Sequence, residues 1–183
     1  MAVVHNTTME PTKLELLTAW LPRQEWFGGT APVLRKAGGF RLDDPAGEVG
    51  LEFMIVVDES VRPPVAYHVP MAYRGAPVAE LGAALIGTSE HGVLGTRWIY
   101  DGTADPVLTA QAAALLAGRT HAQAQNDSDA PDPTVEVTPV AEPFTLRITR
   151  VPAPEAAAEA LGHASAPWQA DGSPRGVVLE ALA

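Results

Sequence analysis

The sequence predicts an α+β protein with a mainly antiparallel sheet that packs against two or three helices. Apolar residues recur at helical spacing in two segments and at every second position in several others. These segments follow one another as helix, strands, helix, strands, which differs from the strand–helix alternation of a parallel sheet. The chain has 183 residues, and 46% of them are hydrophobic. We therefore expect one domain over residues 1–183 with a sizeable core.

The first helix is predicted to start at Thr12. Thr12 and Glu15 have the spacing of a capping box, in which each side chain binds the other residue's amide. Pro22 should end this helix, because the residue before a proline is disfavoured in the α region. Its apolar stripe comprises Leu14, Leu17, Trp20 and Leu21.

The second helix is predicted to run from Asp105 to Ala117. Asp105 is a good N-cap, Pro106 suits the first helical position, and Gly118 suits the residue after the end. Its buried stripe would contain Leu108, Ala112 and Leu115. A third, short helix is expected from Val78 to Leu85, followed by a loop up to Gly95.

Two neighbouring segments, residues 48–58 and 65–73, alternate between apolar and other positions and predict adjacent antiparallel strands. We expect their apolar sets to face one core beneath the first helix. These sets are Val49, Leu51, Phe53, Ile55 and Val57 in one strand and Val65, Tyr67, Val69, Met71 and Tyr73 in the other. Further strands are expected at 40–42, 96–100, 134–138, 144–151 and 176–179, with a mobile, exposed loop at about 120–133 and an alanine-rich piece at 154–161.

Charge and composition exclude several classes of protein. The net charge of −10 argues against a nucleic-acid-binding protein, and the absence of cysteine excludes disulfides, thiolate metal sites and cysteine nucleophiles. The N-terminal residues have no basic and apolar leader pattern, and the apolar runs are too short for a membrane span, so we expect a cytoplasmic protein. No phosphate-binding loop, serine-nucleophile motif or zinc-binding histidine pair occurs. We therefore expect no cofactor and no metal.

Two groups of polar residues are candidates for a binding site near the predicted sheet. Glu90 and His91 lie between glycines, where a histidine beside a carboxylate could act as a general base near neutral pH; they could equally form a polar turn. Asp101 and Asp105 bracket Gly102 after the predicted strand 96–100 and could be paired carboxylates or a cation site. Alternatively, Asp101 is a turn residue and Asp105 only caps the second helix.

A third candidate is the loop after the first helix, which carries Arg23, Trp26 and Phe27 before two glycines. Large aromatics in such a loop either cap the core or form an exposed anchor for a partner or a sugar. Tryptophan and arginine are the residue types most enriched at binding hot spots. The loop is therefore a candidate surface for self-association or for a protein partner.

The segment Leu16-Leu17-Thr18-Ala19-Trp20-Leu21-Pro22-Arg23-Gln24-Glu25-Trp26-Phe27-Gly28-Gly29 resembles the start of the N-terminal cap domain of actinobacterial maltokinases and related aminosugar kinases. The resemblance covers residues 10–118 and continues through Tyr67-His68-Val69-Pro70, Leu85-Ile86-Gly87 and Tyr100-Asp101-Gly102-Thr103-Ala104-Asp105-Pro106. It implies a cystatin-like arrangement, with a curved antiparallel sheet against helices. The whole chain resembles small stand-alone cap-like proteins of actinobacteria.

The same resemblance limits the activity that we expect. The kinase core that follows such caps needs an HGDxH-type aspartate and a metal-binding aspartate, and His91-Gly92 begins like the first motif but lacks its aspartate. The lysine that kinases often carry after the two glycines is also replaced, by Thr30. The resemblance therefore implies a non-catalytic accessory or regulatory protein linked to glycogen, maltose or trehalose metabolism.

Two alternatives stay open at this point. The chain could be a sugar-binding protein or small enzyme that uses a pocket on the concave face of the sheet, with Glu90, His91 and Asp101 near its mouth. It could instead be a partner subunit that docks through Trp26 and Phe27. A deep pocket with convergent polar groups would favour the first alternative, and an exposed aromatic patch would favour the second.

Overall fold

The computed structural model describes residues 8–126, 130–169 and 173–183. Within these residues there are two α-helices, α1 (Lys13–Trp20) and α2 (Pro106–Leu116). The strands are β1 (Met9–Glu10), β2 (Leu34–Leu42), β3 (Gly50–Asp58), β4 (Val65–Arg74), β5 (Leu85–His91), β6 (Gly95–Asp101), β7 (Glu136–Thr138), β8 (Thr145–Ala153), β9 (Ala160–Pro167) and β10 (Arg175–Leu182). Short 3₁₀ helices span Leu21–Arg23, Ala79–Ala84 and Gly102–Ala104.

Six strands form a strongly curled antiparallel sheet, here called the curled sheet, in the order β1-β5-β6-β4-β3-β2. Helix α1 contacts both β5 and β2, which lie near opposite ends of that order. One short helix can touch both strands only because the sheet curls around it, so α1 occupies the concave side. The predicted α+β class with a curved, mainly antiparallel sheet is thereby confirmed.

The other four strands form a second antiparallel sheet, here called the outer sheet, in the order β7-β9-β10-β8. It lies with α2 against the opposite face of the curled sheet, where β8 contacts β4 and β9 contacts β2. At the second contact a Cβ on Gly38 would lie 2.5 Å from the carbonyl oxygen of Pro167, so only glycine permits this approach. Phe40, Phe53, Leu108 and Leu179 belong to the core that these layers share.

Both α-helices begin where the sequence predicts. Thr12 Oγ1 accepts a hydrogen bond from the Glu15 amide, and the Thr12 amide donates to Glu15 Oε2 at 2.7 Å, which completes the capping box. Asp105 accepts from the amides of Val107 and Leu108 at the start of α2. Gly118 has a φ of +70°, which explains glycine just past the end of α2.

The predicted facing of β3 and β4 is wrong. Phe53 pairs with Pro70 and Met54 with Val69, so the odd-numbered residues of the two strands lie on opposite faces. Both faces of β3 are covered, by α1 on one side and by α2 and the outer sheet on the other. Because β3 is apolar on both faces, alternation within it cannot show which of its faces adjoins α1.

Several boundaries also differ from the prediction. Residues 79–84 form a 3₁₀ helix, and β5 follows where a loop was expected. β2 ends at residues 40–42 instead of beginning there, and β9 begins within the alanine-rich piece. In the segment 120–133, Ala122 and Gln123 are buried, while residues 127–129 lie outside the described part. Small side chains in β5 and β9 give no alternating pattern, so those strands are defined by their neighbours.

The longer of the two described α-helices has 11 residues. No helix in the described part of the chain is therefore long enough to cross a bilayer.

Candidate functional site

The concave side of the curled sheet contains a cavity of about 780 Å³. Helix α1, all six strands of the curled sheet and the turn between β5 and β6 contribute to its walls. The hairpin turn between β2 and β3 and Gln125 complete the lining. This position matches the concave-face pocket that the sequence left open as an alternative.

Glu52 is the central polar group of the cavity. Its side chain is only 5% exposed, and it accepts hydrogen bonds from Lys13 Nζ at 2.7 Å, Tyr73 Oη at 2.5 Å and Gln125 Nε2 at 3.0 Å. Burial by itself would raise the pKa of this carboxyl, but the charge of Lys13 and the hydrogen bonds of Lys13 and Tyr73 hold the pKa below its usual value. Glu52 is therefore a charged and fully partnered carboxylate.

The donors around Glu52 are positioned by secondary structure. The capping box fixes the start of α1, and Lys13 is the first residue of that helix. Tyr73 lies on β4, next to β3, and burial together with the Glu52 charge raises the pKa of its phenol well above the ordinary value. The phenol consequently remains protonated and acts as a donor.

Three further cations line the cavity. Lys36 and Arg41 belong to β2, and Arg97 belongs to β6. Lys36 is solvent-exposed, yet desolvation lowers the pKa of its ammonium, as expected for a group set into a concave wall. Arg97 donates from Nη2 to the carbonyl of Leu94 at 2.7 Å, but its buried Nε has no hydrogen-bond partner.

The remaining wall is mostly apolar, with Met9, Leu14, Leu51, Met54 and Leu94 among its residues. A cavity of this size with an apolar wall and a few fixed polar groups is typical of small-molecule sites. Among the described residues, no group of three or more histidine, aspartate or glutamate side chains is placed to hold a metal ion.

A second polar cluster lies between the two sheets. Arg150 of β8 forms an ion pair with Asp101 and donates to Thr103 Oγ1 at 2.9 Å. Its guanidinium carbon lies 4.7 Å from the centre of the Trp26 ring. Arg150 thus connects the outer sheet to the end of β6 and to the loop after α1.

The structure does not bring together Glu90, His91 and Asp101. His91 lines the cavity, and its Nδ1 accepts a hydrogen bond from the amide of Leu94 at 3.1 Å. Glu90 is exposed and accepts from Thr96 Oγ1 at 2.7 Å. Asp101 is 9% exposed and lies in the cluster around Arg150. Of the three, only His91 lies at the cavity.

The aromatic loop after α1 mainly completes the inner core. Phe27 is 8% exposed and packs against Tyr67, with a ring separation of 4.8 Å. Trp26 is half-buried, and its ring centre lies 5.8 Å from that of Trp20 and 6.1 Å from that of Tyr67. Phe27 is therefore not an exposed anchor, because its ring is buried. Trp26 and the exposed Arg23 remain candidates for partner contact.

Sequence reasoning missed the residues at the centre of the cavity and the arginine between the two sheets. One signal for Glu52 was available, since it is a single carboxylate inside an otherwise apolar strand, where burial requires partners. No comparable signal identified Lys13, Tyr73 or Arg150. Lys13 and Tyr73 lie 39 and 21 residues from Glu52, and Arg150 lies 49 residues from Asp101. Only the folded topology brings these partners together.

Comparison with known protein families gives a match over part of the chain. A family model described as the maltokinase N-terminal cap domain matches residues 20–105. This segment runs from the end of α1 to the N-cap of α2, so it includes most of the curled sheet. The comparison with curated proteins gave no match. Residues 20–105 of this chain therefore match the family that the sequence resemblance indicated, the maltokinase N-terminal cap domain.

Proposed function

We propose that this protein is a non-catalytic, cap-like accessory module that binds a small molecule in the cavity of the curled sheet. The observation that carries this proposal is the 780 Å³ cavity built around a buried, fully hydrogen-bonded Glu52. Its volume lies within the range of about 300–1,000 Å³ that is common for ligand pockets. In this proposal the protein acts in the cytoplasm.

The state of the polar groups supports binding over catalysis. A general base needs a free lone pair and a pKa near the working pH. Glu52 accepts three hydrogen bonds and has a lowered pKa, whereas the pKa of Tyr73 is raised well above its usual value. Neither group is suited to exchange a proton near neutral pH. Both are suited to hold a fixed array of hydrogen bonds.

The proposed ligand class is a sugar related to glycogen, maltose or trehalose. This assignment rests on the match of residues 20–105 to the maltokinase N-terminal cap domain. Amide, phenol, ammonium and carboxylate groups on an otherwise apolar wall also suit a sugar, because its hydroxyls need both donors and acceptors and its ring carbons pack on apolar surface.

Calorimetry with glucose, maltose and trehalose tests this proposal, together with thermal melting in each sugar. At least one sugar should bind saturably and raise the melting temperature, since a ligand that binds only the folded state stabilises it. Leu14→Trp should abolish binding by filling the cavity while the circular dichroism spectrum is retained. Leu161→Trp, at a 51% exposed position on β9, is the matched control and should bind normally. Absence of saturable binding for all three sugars at millimolar concentration would contradict the assignment of a neutral sugar as the ligand.

The non-catalytic part has a separate test. The purified chain should release no ADP when incubated with ATP, Mg²⁺ and maltose or glucosamine. Turnover above a no-protein control that disappears when a residue of this chain is substituted would contradict it.

A further inference from the structure

The basic residues of the chain are divided unevenly between paired and unpaired positions. Of the 12 lysine and arginine residues, seven form ion pairs with carboxylates within the described residues. The five that do not are Arg23, Lys36, Arg41, Arg62 and Arg97. Three of these five line the cavity, although the chain carries 22 acidic residues and a net charge of −10. Unpaired cations are therefore concentrated at one concave surface.

The carboxylates at the cavity are largely occupied by other partners. Glu52 is bonded by Lys13, Tyr73 and Gln125. Asp44 accepts hydrogen bonds from three backbone amides of the β2–β3 turn, at 2.9 to 3.0 Å. Glu48 is exposed and also contributes to the lining. Neither Asp44 nor Glu48 is ion-paired with Lys36, Arg41 or Arg97.

Register places Lys36 and Arg41 on the same face of β2. Lys36 pairs with Val56 and Arg41 pairs with Glu52, and Val56 and Glu52 are four residues apart on β3. Lys36 and Arg41 are five residues apart, but the bulge between Lys36 and Gly38 shifts the register by one residue, so both cations face the side that carries Glu52. The Lys36 charge also acts on the Glu52 carboxyl, which puts the ammonium within electrostatic reach of the centre of the cavity.

Arg97 provides an independent indication of a missing acceptor. Its Nε is buried and has no hydrogen-bond partner in the structure. Leaving a buried charged donor unpartnered is costly, and the negative charge of an anionic ligand in the cavity would offset part of that cost without contacting Nε itself.

We propose that the cavity binds a small organic anion, with its carboxylate or phosphate group held by Lys36 and Arg41 and its less polar part against Leu14 and Met54. This inference rests on the proposed function and specifies the class of ligand. Arginine and lysine form charge-assisted hydrogen bonds with carboxylate and phosphate oxygens. Arg97 supplies a further donor from the wall formed by β6.

Calorimetry with matched probes tests the anion requirement. Glucose, gluconate and glucose 6-phosphate offer similar hydroxyl groups but differ in charge, and inorganic phosphate measures the contribution of the anion alone. Gluconate or glucose 6-phosphate should bind at least about tenfold more tightly than glucose, and the advantage should shrink as salt is added. Whichever of the two anions binds more tightly identifies the preferred charged group.

The double variant Lys36→Met/Arg41→Met should lower the affinity for the anionic probe by at least about tenfold without changing the circular dichroism spectrum. Arg35→Met is the matched control: it lies on the same strand, pairs with Glu59 and is not part of the cavity lining. Its affinity should equal that of the unaltered protein.

The outcomes separate this inference from the proposed function. If glucose binds as tightly as its anionic counterparts, or if the double variant binds them unchanged, the anion requirement is wrong while a small-molecule site remains. If no probe binds saturably, charged or neutral, both proposals fail.

Discussion

Arg150 and Asp101 form an ion pair between the outer sheet and the last residue of β6. Both side chains are mostly buried, with exposed fractions of 16% and 13%. Arg150 also lies over the ring of Trp26, and its buried Nη1 has no hydrogen-bond partner. This one side chain therefore links the outer sheet, the curled sheet and the loop after α1.

Arg150→Met should destabilise the protein by about 3 kcal/mol, because removing one partner of a mostly buried ion pair leaves the other charge uncompensated. Urea unfolding followed by circular dichroism measures this loss. Arg119→Met is the control, since Arg119 pairs with Glu142 at an exposed site and its loss should leave the urea midpoint almost unchanged. Equal effects of the two substitutions would contradict a linking role for Arg150.

His68 should make stability depend on pH. It is completely buried on β4, and its Nδ1 lies 2.9 Å from the Thr149 carbonyl oxygen, so Nδ1 is the protonated donor. Burial, with a smaller effect of the Arg150 charge, lowers the pKa of His68 from 6.5 to about 3. The folded protein therefore keeps this ring neutral at pH values where the unfolded chain protonates it.

The sign of the dependence follows from these two pKa values. Between them the unfolded state binds more protons, so the free energy of unfolding falls as the pH falls, by up to about 1.4 kcal/mol per pH unit. Urea unfolding between about pH 6.5 and pH 5 measures this slope, because most carboxylates remain ionised there. His68→Asn should flatten the slope, because the asparagine Nδ2 takes the position of Nδ1 and keeps a donor for the Thr149 carbonyl. An unchanged slope in this variant would assign the pH dependence to other groups.

Phe53→Ala should cost about 3–5 kcal/mol, through lost burial and the cavity that remains. Phe53 is fully buried and stacks on Phe40, with ring centres 4.7 Å apart. The loss is expected although Phe53 faces α2 and the outer sheet, opposite to the predicted side. Val33→Ala, at a 59% exposed position, is the control and should have little effect. A loss below about 1 kcal/mol for Phe53→Ala would contradict the observed packing.

Local sequence patterns predicted where the α-helices begin and end, but they did not predict which face of β3 lies beside α1. Thr12, Glu15, Asp105 and Gly118 act through their own neighbours in the chain, so capping and stop signals are visible in the sequence. The facing of β3 depends on which layers cover it, and apolar residues on both faces remove that information.

The candidate site was less predictable than the fold. A pocket on the concave face was one of the alternatives that the sequence left open, and of the three residues expected at its mouth only His91 lines the cavity. Glu52 is held by groups from α1, β4 and Gln125, which no local motif connects. Such a site forms only when the sheet curls, so individual residues in the sequence give little indication of it.

The loop with Trp26 provides the last prediction. The sequence left two hypotheses, a core cap or an exposed anchor. The structure places Trp26 between Trp20, Tyr67 and Arg150 while leaving part of the ring accessible. Trp26→Ala should therefore lower the melting temperature clearly, because a large half-buried aromatic and its ring contacts are lost.

Arg23→Ala is the matched control, since Arg23 is exposed in the 3₁₀ helix that follows α1. It should leave the melting temperature unchanged, because surface substitutions away from special features have small effects on stability. Side-by-side melting and light scattering distinguish the two hypotheses for this loop. If Trp26→Ala keeps the melting temperature but loses self-association or partner capture, the loop is an interface, and its packing role is secondary. If both stability and association fall together, Trp26 acts on association only through the folded core.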